Sequence, residues 1–195
     1  MSNNLRNNNT KVWTNRFAHT KVWLNNVREE NMKTATFAFL ASSALLPAQP
    51  VKPEFHYTIF IAKPAKDVWS ALTEKKTIDQ YYIAPVHTLE LKKGGRISYG
   101  GDAELISGTI TELEAPKTLV HTFKFAGSDE PETRVAYKIE PVGDSMCSLT
   151  ISHTGFKAED QTFADVTGGW PVIASSLKTV LETGHGLPWP KKKES

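Results

Sequence analysis

Four polar side chains alternate with apolar residues at the two-residue spacing of a β-strand. They are His121, Tyr137, Cys147 and His153. An imidazole can accept a proton or a hydrogen bond, a phenol can donate one, and an ionised thiol is a nucleophile. Because side chains two positions apart share one face of a strand, we predict that all four point into an apolar interior. A bound ligand would supply hydrogen-bond partners there; the alternative is that backbone atoms or water at the sheet margin satisfy them.

No pattern of a known catalytic or metal centre accompanies these side chains. The sequence has no H-x-x-x-H, H-E-x-x-H or C-x-x-C spacing, no phosphate-binding glycine loop and no G-x-S-x-G turn. Cys147 is the only cysteine, which excludes an internal disulfide, and we expect it to be a small core residue. We therefore predict no catalytic residues, no metal site and no cofactor. An enzyme would need one of four groups deep in a pocket with a displaced pKa, namely His121, His153, Glu112 or Asp102.

Short strands and two short helices precede a long helix in this sequence. Phe55–Ile61 has the alternation of a strand, a helix follows from Pro64, and a second short helix covers 74–82. Six further strands are separated by glycine- and proline-containing turns, and we place them near 86–91, 96–99, 104–113, 118–125, 133–140 and 146–153. Because the turns are too short for crossovers, the strands are expected to pair antiparallel.

The segment 168–184 predicts the long C-terminal helix. Its apolar residues recur at helical spacing, namely Trp170, Ile173, Ala174, Leu177, Val180 and Leu181. Gly168 and Gly169 are interpreted as the helix start or a kink, Pro171 as part of the first turn, and Gly184 as the stop. The predicted fold class is therefore α+β: a curved antiparallel β-sheet wrapped around a long C-terminal α-helix, with two short helices after the first strand. Such an arrangement encloses a cavity between the helix and the sheet.

With this order of elements, the sequence resembles the START-like helix-grip (SRPBCC) superfamily, in the branch related to the C-terminal domain of the Hsp90 ATPase activator Aha1. The resemblance rests on the segments 61–73, 79–82, 108–120 and 169–182, and it covers Phe55 to Gly184. It implies binding of a small hydrophobic molecule, lipid-like or aromatic, in the internal cavity. Two alternatives remain open: a cyclase- or dehydratase-like enzyme that uses the same cavity, and an interaction module that stimulates Hsp90. The sequence favours a binding protein over an enzyme.

The predicted ligand-binding residues combine aromatic rings and polar groups on the faces expected to line this cavity. They are Trp69, Tyr81, Tyr82, His121, Phe123, Tyr137, His153, Trp170, Ile173, Ala174 and Leu177. For the four helical aromatics among them, plain core packing is the alternative.

The two ends of the chain differ in composition from the region between them. All nine asparagines lie in 1–31, which we interpret as a disordered or wrongly assigned leader. Residues 32–50 resemble a signal peptide and linker, so a chain translated from Met32 would be exported to the periplasm or the extracellular space; a cytoplasmic location is the alternative. The predicted domain spans 51–186, followed by a basic tail, 187–195.

Charge and hydropathy limit the partners of the predicted domain. Acidic residues outnumber basic ones in 34–190, so we expect no nucleic-acid partner. The apolar run after Met32 is too short for a stable membrane span. The sequence leaves the oligomeric state open.

Overall fold

A computed structural model describes residues 52–188 of the chain as an antiparallel sheet with three α-helices. The seven strands are β1 (Phe55–Ile61), β2 (Val86–Leu89), β3 (Arg96–Tyr99), β4 (Ile106–Glu114), β5 (Thr118–Phe125), β6 (Thr133–Pro141) and β7 (Cys147–Thr154). The helices are α1 (Ala65–Thr73), α2 (Lys75–Tyr81) and α3 (Gln161–Thr183). The predicted α+β helix-grip class is confirmed. The proposed leader and signal segment, 1–50, and most of the basic tail lie outside the described residues.

All neighbouring strands pair antiparallel, in the order β1-β7-β6-β5-β4-β3-β2. Strand β1 lies at one edge of the sheet. From there the chain crosses through α1 and α2 to the other edge at β2 and returns strand by strand to β7. Residues at alternate positions therefore share the concave face, on which α3 packs. Among the described residues, no helix is long and apolar enough to cross a membrane.

The strand positions predicted from alternation agree with the structure to within about two residues. The largest differences are of two residues: β2 ends early, at Leu89, and β4 begins late, at Ile106. A 3-10 turn (Gly101–Ala103) and the left-handed residue Glu104, with φ 44°, precede β4. Arg96 holds the Glu104 carboxylate through Nε at 3.1 Å and Nη2 at 2.6 Å. These contacts stabilise a backbone conformation that a non-glycine residue rarely adopts.

The long helix starts earlier than the sequence suggests. It begins at Gln161, so the interpretation of Gly168 and Gly169 as the helix start was wrong, and Pro171 lies inside the helix. The Asp160 carboxylate accepts the Phe163 N–H at 2.8 Å and so caps the true N-terminus. Gly184 ends the helix as predicted, with φ 84° and its N–H bonded to the Val180 carbonyl.

A second carboxylate also holds the start of α3. Glu130 lies in the connection between β5 and β6, and its two oxygens accept the backbone N–H groups of Gln161, at 3.2 Å, and Thr162, at 3.1 Å. The Thr162 hydroxyl donates to the same carboxylate. Negative charge at a helix N-terminus is favourable because the unpaired N–H groups there point outwards. The sheet connection thus fixes the end of α3 that covers β5.

Candidate ligand-binding site

His153, on β7, is the centre of a fully paired hydrogen-bond chain. The Trp170 indole Nε1–H donates to Nδ1 of His153 at 3.0 Å. Nε2 of His153 then donates to the Thr133 hydroxyl at 2.7 Å, and that hydroxyl donates to the Phe123 carbonyl at 3.2 Å. Because Trp170 can only donate, His153 must be neutral with its proton on Nε2. Burial, and then the nearby His121, lower its pKa to about 3. His153 therefore anchors α3 to the sheet.

His121, on β5, is equally buried but only half paired. Its Nδ1–H donates to the Thr122 carbonyl at 2.6 Å, whereas Nε2 is buried without a hydrogen-bond partner among the described residues. Burial lowers its pKa to about 4, so the ring is neutral near pH 7 and Nε2 carries a free lone pair. An unpaired buried acceptor of this kind costs about 1–3 kcal/mol.

A glycine on the neighbouring strand makes room for this histidine. A Cβ on Gly108 would lie 1.8 Å from the Thr122 oxygen and 3.3 Å from Nδ1 of His121. Any side chain at this position would therefore displace the carbonyl that His121 binds. Gly108 thus permits the ring orientation that leaves Nε2 free.

Four tyrosines surround the same part of the interior: Tyr81, Tyr82, Tyr99 and Tyr137. Their pKa values are all raised, first by burial and, for all but Tyr99, also by the neighbouring phenols. The rings of Tyr82 and Tyr99 stack with centroids 4.3 Å apart. The hydroxyl of Tyr81 already has a partner, because it donates to the Ala71 carbonyl of α1 at 3.2 Å. All four phenols are neutral at ordinary pH.

The Trp170 ring connects these groups. Its centroid lies 6.0 Å from those of Tyr137 and His153 and 6.4 Å from that of Tyr82. His121 extends the set by one ring, because its centroid is 6.0 Å from that of Tyr137. An aromatic wall with few polar groups suits a semi-polar ring compound.

An apolar pocket opens at the outer end of this wall, between α3 and strands β4 and β5. Its volume is about 30 Å³. Its lining residues are Tyr82, Ile83, Ile106, Phe123, Phe125, Asp165, Val166, Gly169, Trp170 and Ile173. A space of this size holds about one or two water molecules.

The predicted site residues fall into three groups in the structure. Tyr82, Phe123, Trp170 and Ile173 line the pocket. His121, Tyr137 and His153 form the buried layer connected to it through the aromatic ring contacts. The others lie outside the pocket lining: Trp69, half-buried on α1; Tyr81, bonded to α1; and Ala174 and Leu177, packed in the core. The assignment of all eleven to ligand binding stays a prediction.

Sequence reasoning missed Tyr99 and Thr133. Both could have been found from alternation, because Tyr99 lies two residues after the buried Ile97, and Thr133 two residues before the buried Val135. A threonine is a common strand residue, so nothing in its type indicated that it would pair with a histidine.

Cys147 and Glu112, two of the remaining chemical candidates, lie outside the pocket lining. Cys147 is buried on β7, and burial raises the pKa of its thiol. Glu112 is exposed and forms an ion pair with Arg134 at 3.1 Å. The Asp102 side chain falls outside the described part of the structure. No cluster of three or more histidine, cysteine or acidic side chains that could hold a metal ion occurs among the described residues.

The curved antiparallel sheet, the long helix across its concave face and the aromatic wall between them define an α+β helix-grip domain. The chain belongs to the family described as Activator of Hsp90 ATPase homolog 1-like protein, whose match spans residues 62–182, more than half of its length. It is thus an Aha1-like member of the START-like (SRPBCC) superfamily.

Solved structures share this fold at low sequence identity. CalU16 from Micromonospora echinospora, solved by NMR, has a TM-score of 0.61 at 22% identity, over 74% of this chain and 74% of that one. An Hsp90 activator from Plasmodium falciparum has a TM-score of 0.60 at 21% identity, over 68% of this chain and 96% of that one. The Aha1 dimer from Colwellia psychrerythraea has a TM-score of 0.60 at 19% identity, over 69% and 99%. No curated protein matches the sequence.

Proposed function

We propose that this protein binds a small, mostly apolar molecule between α3 and the concave face of the sheet. The observation that carries the proposal is the apolar pocket beside Phe123 and Trp170. His121 lies two positions before Phe123 on the same strand, and its Nε2 is buried without a partner among the described residues. A concave apolar site with a few inward polar groups is the usual form of a small-molecule site.

The size of the pocket determines how binding must occur. A pocket of about 30 Å³ is far smaller than the roughly 300–1,000 Å³ of a typical ligand site. A ligand must therefore displace part of the wall. The first half of α3 is the best candidate, since Val166, Gly169 and Trp170 cover the pocket from that side.

The sequence of α3 makes this segment the weakest part of the helix. Pro171 has no N–H to donate to the carbonyl of Thr167, and its ring crowds that carbonyl. Gly168 and Gly169 each reduce helix stability by about 1 kcal/mol relative to alanine. Segments with low local stability are those that open most readily in a native protein. Because Glu130 and Asp160 hold the helix start, we expect residues 164–169 to move away from β4 and β5 and so to enlarge the pocket.

These two glycines are not required by close packing. A Cβ on Gly168 or Gly169 would meet no atom within 4 Å outside the local helix backbone. We therefore expect Gly168→Ala and Gly169→Ala each to raise the free energy of unfolding by about 1 kcal/mol, measured by urea denaturation. A loss of stability in either variant would show that the helix needs glycine there for another reason.

Binding of an apolar naphthalene-type fluorophore to the full chain tests the proposed function. Gly169 lines the pocket, whereas its neighbour Gly168 is exposed and does not, so leucine at these two positions gives a matched pair. Both substitutions stiffen the helix, but only Gly169→Leu places a side chain in the pocket. We expect Gly169→Leu to bind the probe at least about 10-fold more weakly than Gly168→Leu, a difference of about 1.4 kcal/mol. Equal affinities, or no binding by the wild type, would contradict the proposal.

The two alternative functions have less support from the geometry. Of the acids and bases considered for an enzyme, His153 uses both ring nitrogens in hydrogen bonds and Glu112 is exposed. Among the candidates whose side chains the structure describes, His121 is left as a lone weak base, because burial lowers its pKa to about 4. Activation of Hsp90 stays a hypothesis, since likeness to an Hsp90 activator at 21% identity shows the fold alone.

A further inference from the structure

We infer that His121 makes the site selective for ligands that donate a hydrogen bond. Its Nε2 would accept a hydroxyl or N–H group carried by an otherwise apolar ring compound. The inference rests on the proposed function and adds the chemical class of the ligand.

The tautomer of His121 follows from its one hydrogen bond. The Thr122 carbonyl can only accept, so the proton must be on Nδ1, which lies 2.6 Å from that oxygen. Nε2 is then an acceptor. It has no partner in the described part of the chain, and the side chain is only 1% exposed. Buried polar atoms in native proteins are nearly always paired, so a missing partner here points to a bound group.

His153 provides an internal comparison for this reasoning. Both histidines face the interior from neighbouring parts of the sheet, and both are neutral near pH 7. Within the described residues, both ring nitrogens of His153 are paired, with Trp170 and Thr133, whereas one nitrogen of His121 is not. The fold therefore pairs both ring nitrogens of the histidine that only stabilises the core, His153. Among the described residues, Nε2 of His121 and the hydroxyl oxygen of Ser98 are the two buried side-chain atoms without a partner, and we infer that a ligand pairs with the first of them.

His121 does not line the pocket but lies next to a residue that does. His121 comes two residues before Phe123, a pocket-lining residue on the same face of β5, so the two lie about 7 Å apart along the strand. Tyr137 lies between His121 and Trp170, with ring centroids 6.0 Å from each. A flat molecule that enters beside Trp170 would pass along these rings before it reaches Nε2. The surroundings are otherwise apolar or aromatic, so one donor on one end of the ligand matches them.

An isosteric pair of probes tests the selectivity. 1-Naphthol and 1-methylnaphthalene have nearly the same shape, but only the first donates a hydrogen bond. The two dissociation constants are measured for the wild-type full chain and for His121→Phe, which keeps an aromatic ring and removes the acceptor. We expect the ratio of the two dissociation constants to favour naphthol about 3- to 10-fold more in the wild type than in His121→Phe. The hydration of each probe is the same in both proteins and cancels from this comparison.

Two outcomes would overturn the inference, and they separate it from the proposed function. If both probes bind and the ratio is the same in both proteins, His121 is not the acceptor, although the site exists. If neither probe binds the wild type, the proposed function fails and the inference fails with it.

A second measurement needs no substitution and so does not depend on the folding of His121→Phe. In histidine-labelled wild type, the ¹⁵N signal of the His121 Nε2 should move on binding of naphthol and stay in place with methylnaphthalene. Equal movement with both probes would also overturn the inference.

Discussion

Acidification from pH 7 to pH 5 is expected to lower the free energy of unfolding steeply. His121 and His153 have pKa values of about 4 and about 3 in the folded protein, against about 6.5 for an unfolded chain. Below pH 6.5 the unfolded state therefore binds up to two more protons than the folded state. The stability is complete above about pH 6.5 and falls as the pH decreases towards the folded values, by up to about 2.7 kcal/mol per pH unit.

Urea denaturation at several pH values between 7.5 and 5 measures this slope. The carboxylates of Glu104 and Glu182, whose pKa values are lowered by hydrogen bonds from Arg96 and from the Ala62 N–H, lose their contribution only at lower pH. His121→Phe is the matched control and should reduce the slope by about half, because one of the two buried histidines is removed. If the free energy of unfolding instead stayed constant between pH 6.5 and 5, the folded protein would accept protons on the two buried rings as readily as the unfolded chain does. That result would contradict the prediction.

Replacement of Trp170 by alanine is expected to cost about 3–5 kcal/mol, which is a large share of the stability of a domain this size. The side chain is 2% exposed and packs against Tyr82, Tyr137 and His153. Its removal leaves a cavity in the aromatic wall and also leaves Nδ1 of His153 without its donor. The measurement is urea or thermal denaturation at pH 7.5.

Trp69→Ala is the control for this substitution. Trp69 on α1 is half-buried against the core and forms no part of the pocket lining, so we expect its replacement to cost only about 1–2 kcal/mol. Equal losses for the two tryptophans would show that Trp170 does not have the central position that the ring contacts indicate.

Much of this fold could be predicted from the sequence because its strands alternate so regularly. Alternation predicts that His121 and Phe123 share the inward face of a strand, and the structure buries both. The start of α3 could not be predicted in the same way. Gly168, Gly169 and Pro171 are typical of a helix end, but a carboxylate about 30 positions earlier in the chain, Glu130, holds the helix N-terminus at Gln161.

The sequence also could not predict that His121 and His153 have different roles. Each occupies the same kind of position in a strand. Their difference comes from groups distant in the chain: Thr133 lies 20 residues before His153, and Trp170 lies 17 residues after it. Pocket volume is equally a property of three-dimensional packing, because the same aromatic residues can form a filled core or an open wall.

The NMR signal of the Trp170 indole N–H, followed while the full chain is titrated with 1-naphthol, tests whether a ligand binds between α3 and the sheet. This N–H binds His153 beneath the pocket, and its signal is identified by its absence from the spectrum of Trp170→Phe. We expect the Trp170 signal to move saturably with naphthol while the signal of Trp69 on α1 stays in place. A Trp170 signal that remains unchanged at naphthol concentrations that saturate binding would contradict a ligand site between α3 and the sheet.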